Sequence, residues 1–488
     1  MVLNLLLSVG SVAFAWLLWQ RAESLSVAFS LLACWQLFCA MTARRRRPAI
    51  LRLGGYSWDI FSFCRGWLIT GQVGTGKTVA AINTMLWQVS KNCPTWGGVC
   101  VDDKGVYWET LSAMLGNLGR KSDLILLQVR PDGAAADWQP THRFNFLDLP
   151  ILPYSAKAKI ICDVASSLGQ KTEQSFFRIQ AQVQMEFAFR ALRCAGFDVT
   201  LEQAYELLTL PWLLEETMGM IAKDPSDEAT QLLQHYYGTF INQPAEQLGG
   251  VRTTIANYLK PFTDPDIAAV FCPAKSSFDF AEIDRGKILC VAMPQRFSVE
   301  RRYVHTLLKL AFYSHVLRRY DRPAAARAND NLLIFWADEA QKIVTASEDG
   351  MSDYNVVDVI REARATVVAA TQSYASLIPP MGDEKKAKVF IANMANRVTF
   401  CAADEDSARI AADTVGKRKS LRRTTGWSGG KRTTSLTEED RYYLEPHTFR
   451  RLRKFQAVVQ HCDFGFRRTF ITPLGPDGRP PVWHRSKD

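Results

Sequence analysis

The chain has 488 residues, 47% of them hydrophobic and 22% charged, and carries a formal net charge of +10. That length holds two or three domains with cores of their own, and the apolar content argues against a mainly disordered chain. The positive balance favours polyanionic partners such as nucleic acid or anionic lipid headgroups.

Residues 1–19 are apolar apart from Asn4, Ser8 and Ser11, and a second apolar run covers residues 25–41. Each is near the lower length limit for a spanning helix. Arg44-Arg45-Arg46-Arg47 follows at once, and the positive-inside rule places that end in the cytoplasm, so two spans bring the N-terminus there too. A signal peptide lacks support, because no basic residue precedes the first run and no small-residue cleavage pattern follows it. The expectation is a two-helix transmembrane hairpin over residues 1–43, with a buried helical hairpin as the alternative. The chain after Pro48 would then be cytoplasmic. The 11 cysteines fit a reducing compartment: they are scattered with no C-x-x-C pair, and Cys100, Cys290 and Cys401 sit in strand-like runs as small buried hydrophobes.

Gly66-Trp67-Leu68-Ile69-Thr70 reads as a short buried strand and Val79 to Leu86 as a helix. Between them lies Gly71-Gln72-Val73-Gly74-Thr75-Gly76-Lys77-Thr78, a complete phosphate-binding loop. Its glycines let backbone N–H groups close around phosphates, Lys77 reaches the β- and γ-phosphates, and Thr78 offers its hydroxyl to Mg²⁺. The pattern predicts an ATP- and Mg²⁺-dependent hydrolase.

Further strands are expected over residues 98–101, 123–129, 287–293, 332–337, 366–371, 397–402 and 456–460, mostly separated by helical stretches. That alternation predicts an α/β fold with a mostly parallel sheet covered by helices on both faces. Residues 155–258 read differently: 176–192, 201–214 and 229–240 have helical spacing and no convincing strand interrupts them. An inserted all-helical domain there divides the nucleotide-binding part into residues 44–154 and 259–488. It also accounts for the roughly 260 residues between Lys77 and Asp338.

Leu332 to Ala337 is a buried strand that ends in Asp338-Glu339. Asp338 at the carboxyl end can orient the waters of Mg²⁺, and Glu339 can activate the attacking water. The next strand ends in Thr371-Gln372-Ser373, which brings the Gln372 amide beside Asp338 to sense the γ-phosphate or place water. Arg361 and Arg364 precede that strand; either is a candidate arginine finger across a subunit boundary or part of a solvated helix face. Residues 417–434 are basic and rich in Ser, Thr and Gly.

In this order the segments resemble the type IV secretion coupling proteins, the TraG/TraD-type ATPases of conjugative DNA transfer within the RecA-like FtsK and HerA group. Val101-Asp102-Asp103-Lys104-Gly105 is similar to the family's Asp-Pro-Lys-Gly segment, and Arg143 to Asp148 to its Asn-Pro-Leu region. Arg364-Ala365-Thr366 with Thr371-Gln372-Ser373, then Ile391 to Val398, and finally Glu405 to Gly416 complete the likeness. The chain departs from the pattern at Asp103, at Val106 and at Ala340-Gln341, the last closer to HerA-type and other secretion ATPases.

The resemblance implies a RecA-like P-loop fold and a homohexameric ring at a bacterial inner membrane. It further implies ATP bound between subunits and a basic channel for DNA, single-stranded DNA favoured, held without sequence reading. Relaxase or nucleoprotein cargo and secretion-channel proteins are the implied partners. Lys417-Arg418-Lys419, Arg422-Arg423 and Lys431-Arg432, interleaved with Trp427, form one candidate DNA contact, and a solvated loop explains the same residues equally well. The stretch after Lys104 and the helical insert are other candidates for the channel lining. A double-strand translocase in genome maintenance or phage defence, and a docking receptor that uses nucleotide only to assemble, are the alternative functions.

Overall fold

A nine-stranded sheet organises the chain, in the order β13-β12-β9-β3-β8-β7-β4-β6-β5. In chain order its strands are β3 (Trp67–Thr70), β4 (Gly97–Asp102), β5 (Leu124–Gln128), β6 (Ile288–Ala292), β7 (Leu333–Asp338), β8 (Ala365–Thr371), β9 (Asn396–Thr399), β12 (Gln456–His461) and β13 (Gly465–Phe470). From β9 to β5 every neighbour is parallel, whereas β12 and β13 close one edge antiparallel. This computed structural model describes residues 48–168, 175–327, 329–347, 350–428 and 431–485. The expected membrane hairpin and Arg44–Arg47 lie outside those residues. Among the described residues no helix is long and apolar enough to cross a membrane.

The central strands are apolar throughout because both faces are covered. Alternate residues of β7 show it: Leu333, Phe335 and Ala337 enter one apolar layer, while Ile334 and Trp336 enter the other. The second layer also holds Trp67, Ile69, Ala80, Met85 and Leu111, from β3 and the helices on that side. Ser298–Leu317, a helix buried along most of its length, lies in the first layer.

Helices fill the chain from Tyr154–Ser167 to Pro265–Phe271, with no strand among the described residues between them. They run beyond the expected boundary at 258 because Asp264 caps a further helix that opens on Pro265. The helical block has no separate core: Ile161, Phe189, Leu207 and Ile255 share an apolar layer with Leu289 and Phe335 of the sheet.

Two small antiparallel pairs were not legible in the sequence. One is β1 (Leu51–Leu53) with β2 (Tyr56–Trp58). The other joins β10 (Lys417–Ser428) and β11 (Lys431–Tyr442) in an unbroken ribbon from Lys417↔Tyr442 to Ser428↔Lys431. The basic stretch read as low complexity is thus a long hairpin. Its strands carry Ser, Thr and Arg where an apolar alternation would have been visible, and β-branched Thr supplies the strand preference instead.

Candidate nucleotide site

Three neighbouring strands, β3, β8 and β7, bring the phosphate loop, Asp338, Glu339 and Gln372 to one end of the sheet. β3 ends at Thr70 and leads into the loop Gly71–Gly76, in which Gly71, Gly74 and Gly76 have φ of 154, 81 and 109°. At Gly76 only glycine fits, since a Cβ would lie 2.4 Å from Cδ1 of Phe455 in addition to the left-handed backbone. The following helix opens with a wide π turn, Lys77–Ile82, and continues as an α-helix over Asn83–Asn92. Such turns are concentrated at functional sites.

Lys77 Nζ donates to the Gly71 carbonyl at 2.6 Å and the Gln72 carbonyl at 3.3 Å, so its ammonium curls over its own loop. Burial lowers its pKa, opposed by the charges of Glu339 and Asp338. Thr78 Oγ1 donates to Asp338 Oδ2 at 2.9 Å. Burial pushes the Asp338 carboxyl up to about 6, the Thr78 hydrogen bond pulls it down, and the charges of Asp102 and Glu339 raise it further. A hydroxyl and a carboxylate in contact, with waters able to complete the shell, suit the hard, oxygen-seeking Mg²⁺ ion.

Glu339 occupies the left-handed region, φ 56° and ψ 46°, at a cost on the order of 1 kcal/mol for a residue with a side chain. Two amides hold its carboxylate: Gln372 Nε2 donates to Oε2 at 3.2 Å, and Gln341 Nε2 donates to the same oxygen. β8 lies between β3 and β7, which explains the meeting of Gln372 and Glu339. An open cleft of about 500 Å³ is lined by Gly74, Lys77, Thr78, Asp338 and Glu339 together with Val73.

Arg364 is not part of this cluster. It precedes β8 at the opposite, amino end of the sheet, where Ala365 pairs with Leu333 while Ala369 pairs with Ala337 near the site. A strand of this length separates the two ends by about 20 Å. Its guanidinium donates to the Asp330 carbonyl at 3.0 Å and lies over the Phe61 ring, and its φ of 53° turns the chain into β8. Within its own chain, therefore, the arginine expected in the catalytic set is a strand-entry residue.

Three features of the site were not anticipated. Asp102 is the register partner of Asp338 on the adjacent strand, and it accepts from the backbone N–H groups of Lys104, Val106 and Tyr107, each at 3.1 Å. That turn carries Lys104 to the cleft wall. The signal was present in the sequence, since Val99-Cys100-Val101-Asp102 is also an apolar strand ending in a carboxylate. The other two are Phe455 and Trp483, which line the same cleft from the C-terminal part of the chain. No local pattern ties them to residue 77.

Residues 333–454, from the start of β7 through the hairpin, match the TraG-D_C family, described as the TraM recognition site of TraD and TraG. The bacterial conjugative coupling protein TrwBdeltaN70, in its unbound monoclinic form, superposes with a TM-score of 0.64 at 14% identity over 91% of this chain and 92% of that one. The chain carries the fold of the conjugative coupling proteins. The plasmid coupling protein TrwB in complex with the ATP analogue ADPNP gives a TM-score of 0.61 at 14% identity over 91% and 93% of the two chains. VirB4 of Thermoanaerobacter pseudethanolicus gives 0.50 at 11% identity over 87% and 95%. No curated protein matches the sequence. The family match spans the stretch that contains Asp338, Glu339 and Gln372.

Proposed function

We propose that this chain is a membrane-anchored, ATP-driven translocase that delivers DNA or a nucleoprotein to a type IV secretion channel. The observation that carries the proposal is the Thr78–Asp338 hydrogen bond at 2.9 Å, which joins the phosphate loop to the acidic strand end. It is supported by the coupling-protein fold and by the TrwB structures in complex with ADPNP, with the GTP analogue GDPNP, and with ADP and Mg²⁺.

In this reading the loop Gly71–Thr78 cradles the phosphates of ATP and Lys77 holds the β- and γ-phosphoryl groups. Glu339, steadied by Gln372 and Gln341, takes the proton of the water that attacks the γ-phosphorus as the bond to the β-phosphate oxygen breaks. Thr78 and Asp338 would hold Mg²⁺, which would supply positive charge to the phosphate oxygens. The ring is a homohexamer on the inner membrane, anchored by residues 1–43 and threaded by single-stranded DNA. A relaxosome protein of the TraM type docks on the region of residues 333–454, in keeping with that family's description.

Phosphate release with and without single- and double-stranded DNA tests the proposal. Lys77→Ala removes ATP binding, whereas Glu339→Gln binds ATP and loses turnover by about 100-fold or more. DNA-stimulated turnover retained in both variants rules the site out. Steady turnover on DNA in the native chain excludes a receptor that uses nucleotide only to assemble, and preference for double strands favours the genome-maintenance or defence motor.

A further inference from the structure

The cleft has a second wall that the phosphate-binding residues leave unexplained. Phe455 enters β12 with φ 65°, a backbone conformation that side-chain-bearing residues rarely adopt. Its N–H donates to the Thr75 carbonyl at 3.0 Å, and its ring lies against Gly76 of the phosphate loop. Trp483 stacks on that ring with centroids 5.8 Å apart and planes 27° from parallel. Lys454 Nζ stands 5.1 Å from the centre of the Phe455 ring and 5.6 Å from that of Trp483.

The segment that delivers Trp483 is anchored. Leu474 N–H donates to the Val79 carbonyl at 2.8 Å, Asn83 Nδ2 donates to the Leu474 carbonyl at 2.9 Å, and Asn117 Nδ2 donates to the Pro476 carbonyl at 2.9 Å. Leu474 is therefore tied to the helical stretch that follows the phosphate loop, and Pro476 to the end of the helix Tyr107–Asn117. Phe455 is buried, yet Trp483 keeps 49% of its surface exposed while lining the cleft.

We propose that Trp483, backed by Phe455 and Lys454, is the platform on which the base of the bound nucleoside triphosphate stacks. The inference rests on the nucleotide-binding reading above and assigns the other end of the same ligand. A cleft of about 500 Å³ has room for a whole nucleotide. Lys77 and Thr78 account for the phosphate end only. Trp483 is half exposed where it lines the cleft, held there by the Phe455 ring and Lys454, and a base supplies a flat π surface of matching size. The left-handed backbone at Phe455 keeps the supporting ring pressed on the loop, so base and phosphates share one rigid frame.

Calorimetric titration of the full chain with Mg-ATP and, separately, with inorganic tripolyphosphate tests this. Trp483→Ala weakens ATP by about tenfold and leaves tripolyphosphate within about twofold, because one base–aromatic stack is lost and the phosphate contacts are untouched. Trp483→Phe, which keeps a ring, stays within about threefold of the native chain for ATP. Unchanged ATP affinity in Trp483→Ala, or an equal loss for both ligands, overturns the platform. A native chain that binds neither ligand overturns the nucleotide-binding reading itself.

Discussion

Asp102 and Asp338 face each other as register partners at the carboxyl ends of β4 and β7. Burial at the base of the cleft pushes the Asp338 carboxyl up to about 6, and the charges of Asp102 and Glu339 add to that shift against the Thr78 hydrogen bond. Because its pKa is higher in the folded than in the unfolded chain, this group favours the fold below its ordinary value of 3.8 and loses that contribution as the pH rises through about 6. Cation binding needs the ionised carboxylate and follows the opposite slope. Mg-ATP is expected to raise the melting temperature more at about pH 7.5 than at about pH 5.5. Asp102→Asn moves the midpoint of that pH dependence downward, read by nucleotide titration across the range.

Gln372 reaches Glu339 from the strand between the loop and the acidic pair. In the proposed mechanism its amide positions the base, and it stands outside the phosphate loop. Gln372→Ala should lower turnover about tenfold while ATP affinity stays within about twofold, measured by phosphate release and calorimetry on one preparation. A parallel fall in affinity would place Gln372 on the phosphate instead.

Away from the cleft, Lys309 and Asp353 form an ion pair in which each side chain is only 2% exposed. Asp353 also accepts from the Thr345 N–H at 2.8 Å and from the Tyr313 hydroxyl at 2.5 Å. Burial lowers the Lys309 pKa, and the Asp353 carboxylate opposes that shift. Asp353→Ala leaves a buried ammonium without its counter-ion and should cost about 3–5 kcal/mol of stability in urea unfolding. The paired change Lys309→Met with Asp353→Leu should cost markedly less, since neither charge is then buried alone.

The β10–β11 ribbon distributes its charge unevenly. Lys419 pairs with Glu438 at 3.2 Å and Arg422 with Glu439 at 3.7 Å, and all four side chains are exposed, so these pairs contribute little to folding. The sequence from 420 to 437 contains Arg422, Arg423, Lys431 and Arg432 and no acidic residue. If this end touches a DNA backbone, Arg422→Glu with Arg423→Glu reduces the salt slope of DNA binding by roughly 2, with melting by circular dichroism as the folding control. An unchanged slope assigns the ribbon to another partner.

The phosphate loop and the acidic strand end were legible because each is local. Glycine spacing, one lysine and one threonine specify the loop, and an apolar run before Asp338-Glu339 specifies the other half. The parallel sheet was legible for the same reason, since strands covered on both faces read as unbroken apolar runs. The polar ribbon escaped notice because exposed strands need no apolar alternation. Arg364 precedes the strand that Gln372 ends, so its place at the far end from the cleft of its own chain was legible, and a finger role across a subunit boundary remains a proposal.

By itself the sequence named the groups on which the proposed chemistry rests: the glycine-rich loop with Lys77, the Thr78 hydroxyl, and the Asp338 and Glu339 carboxylates. Tertiary structure alone decided which residues share the cleft, placing Asp102 opposite Asp338, Gln372 on Glu339, and Phe455 and Trp483 beside Gly76. Those meetings depend on strand order and on chain returning across hundreds of residues, and the backbone pairing that produces them leaves no local trace in residue spacing.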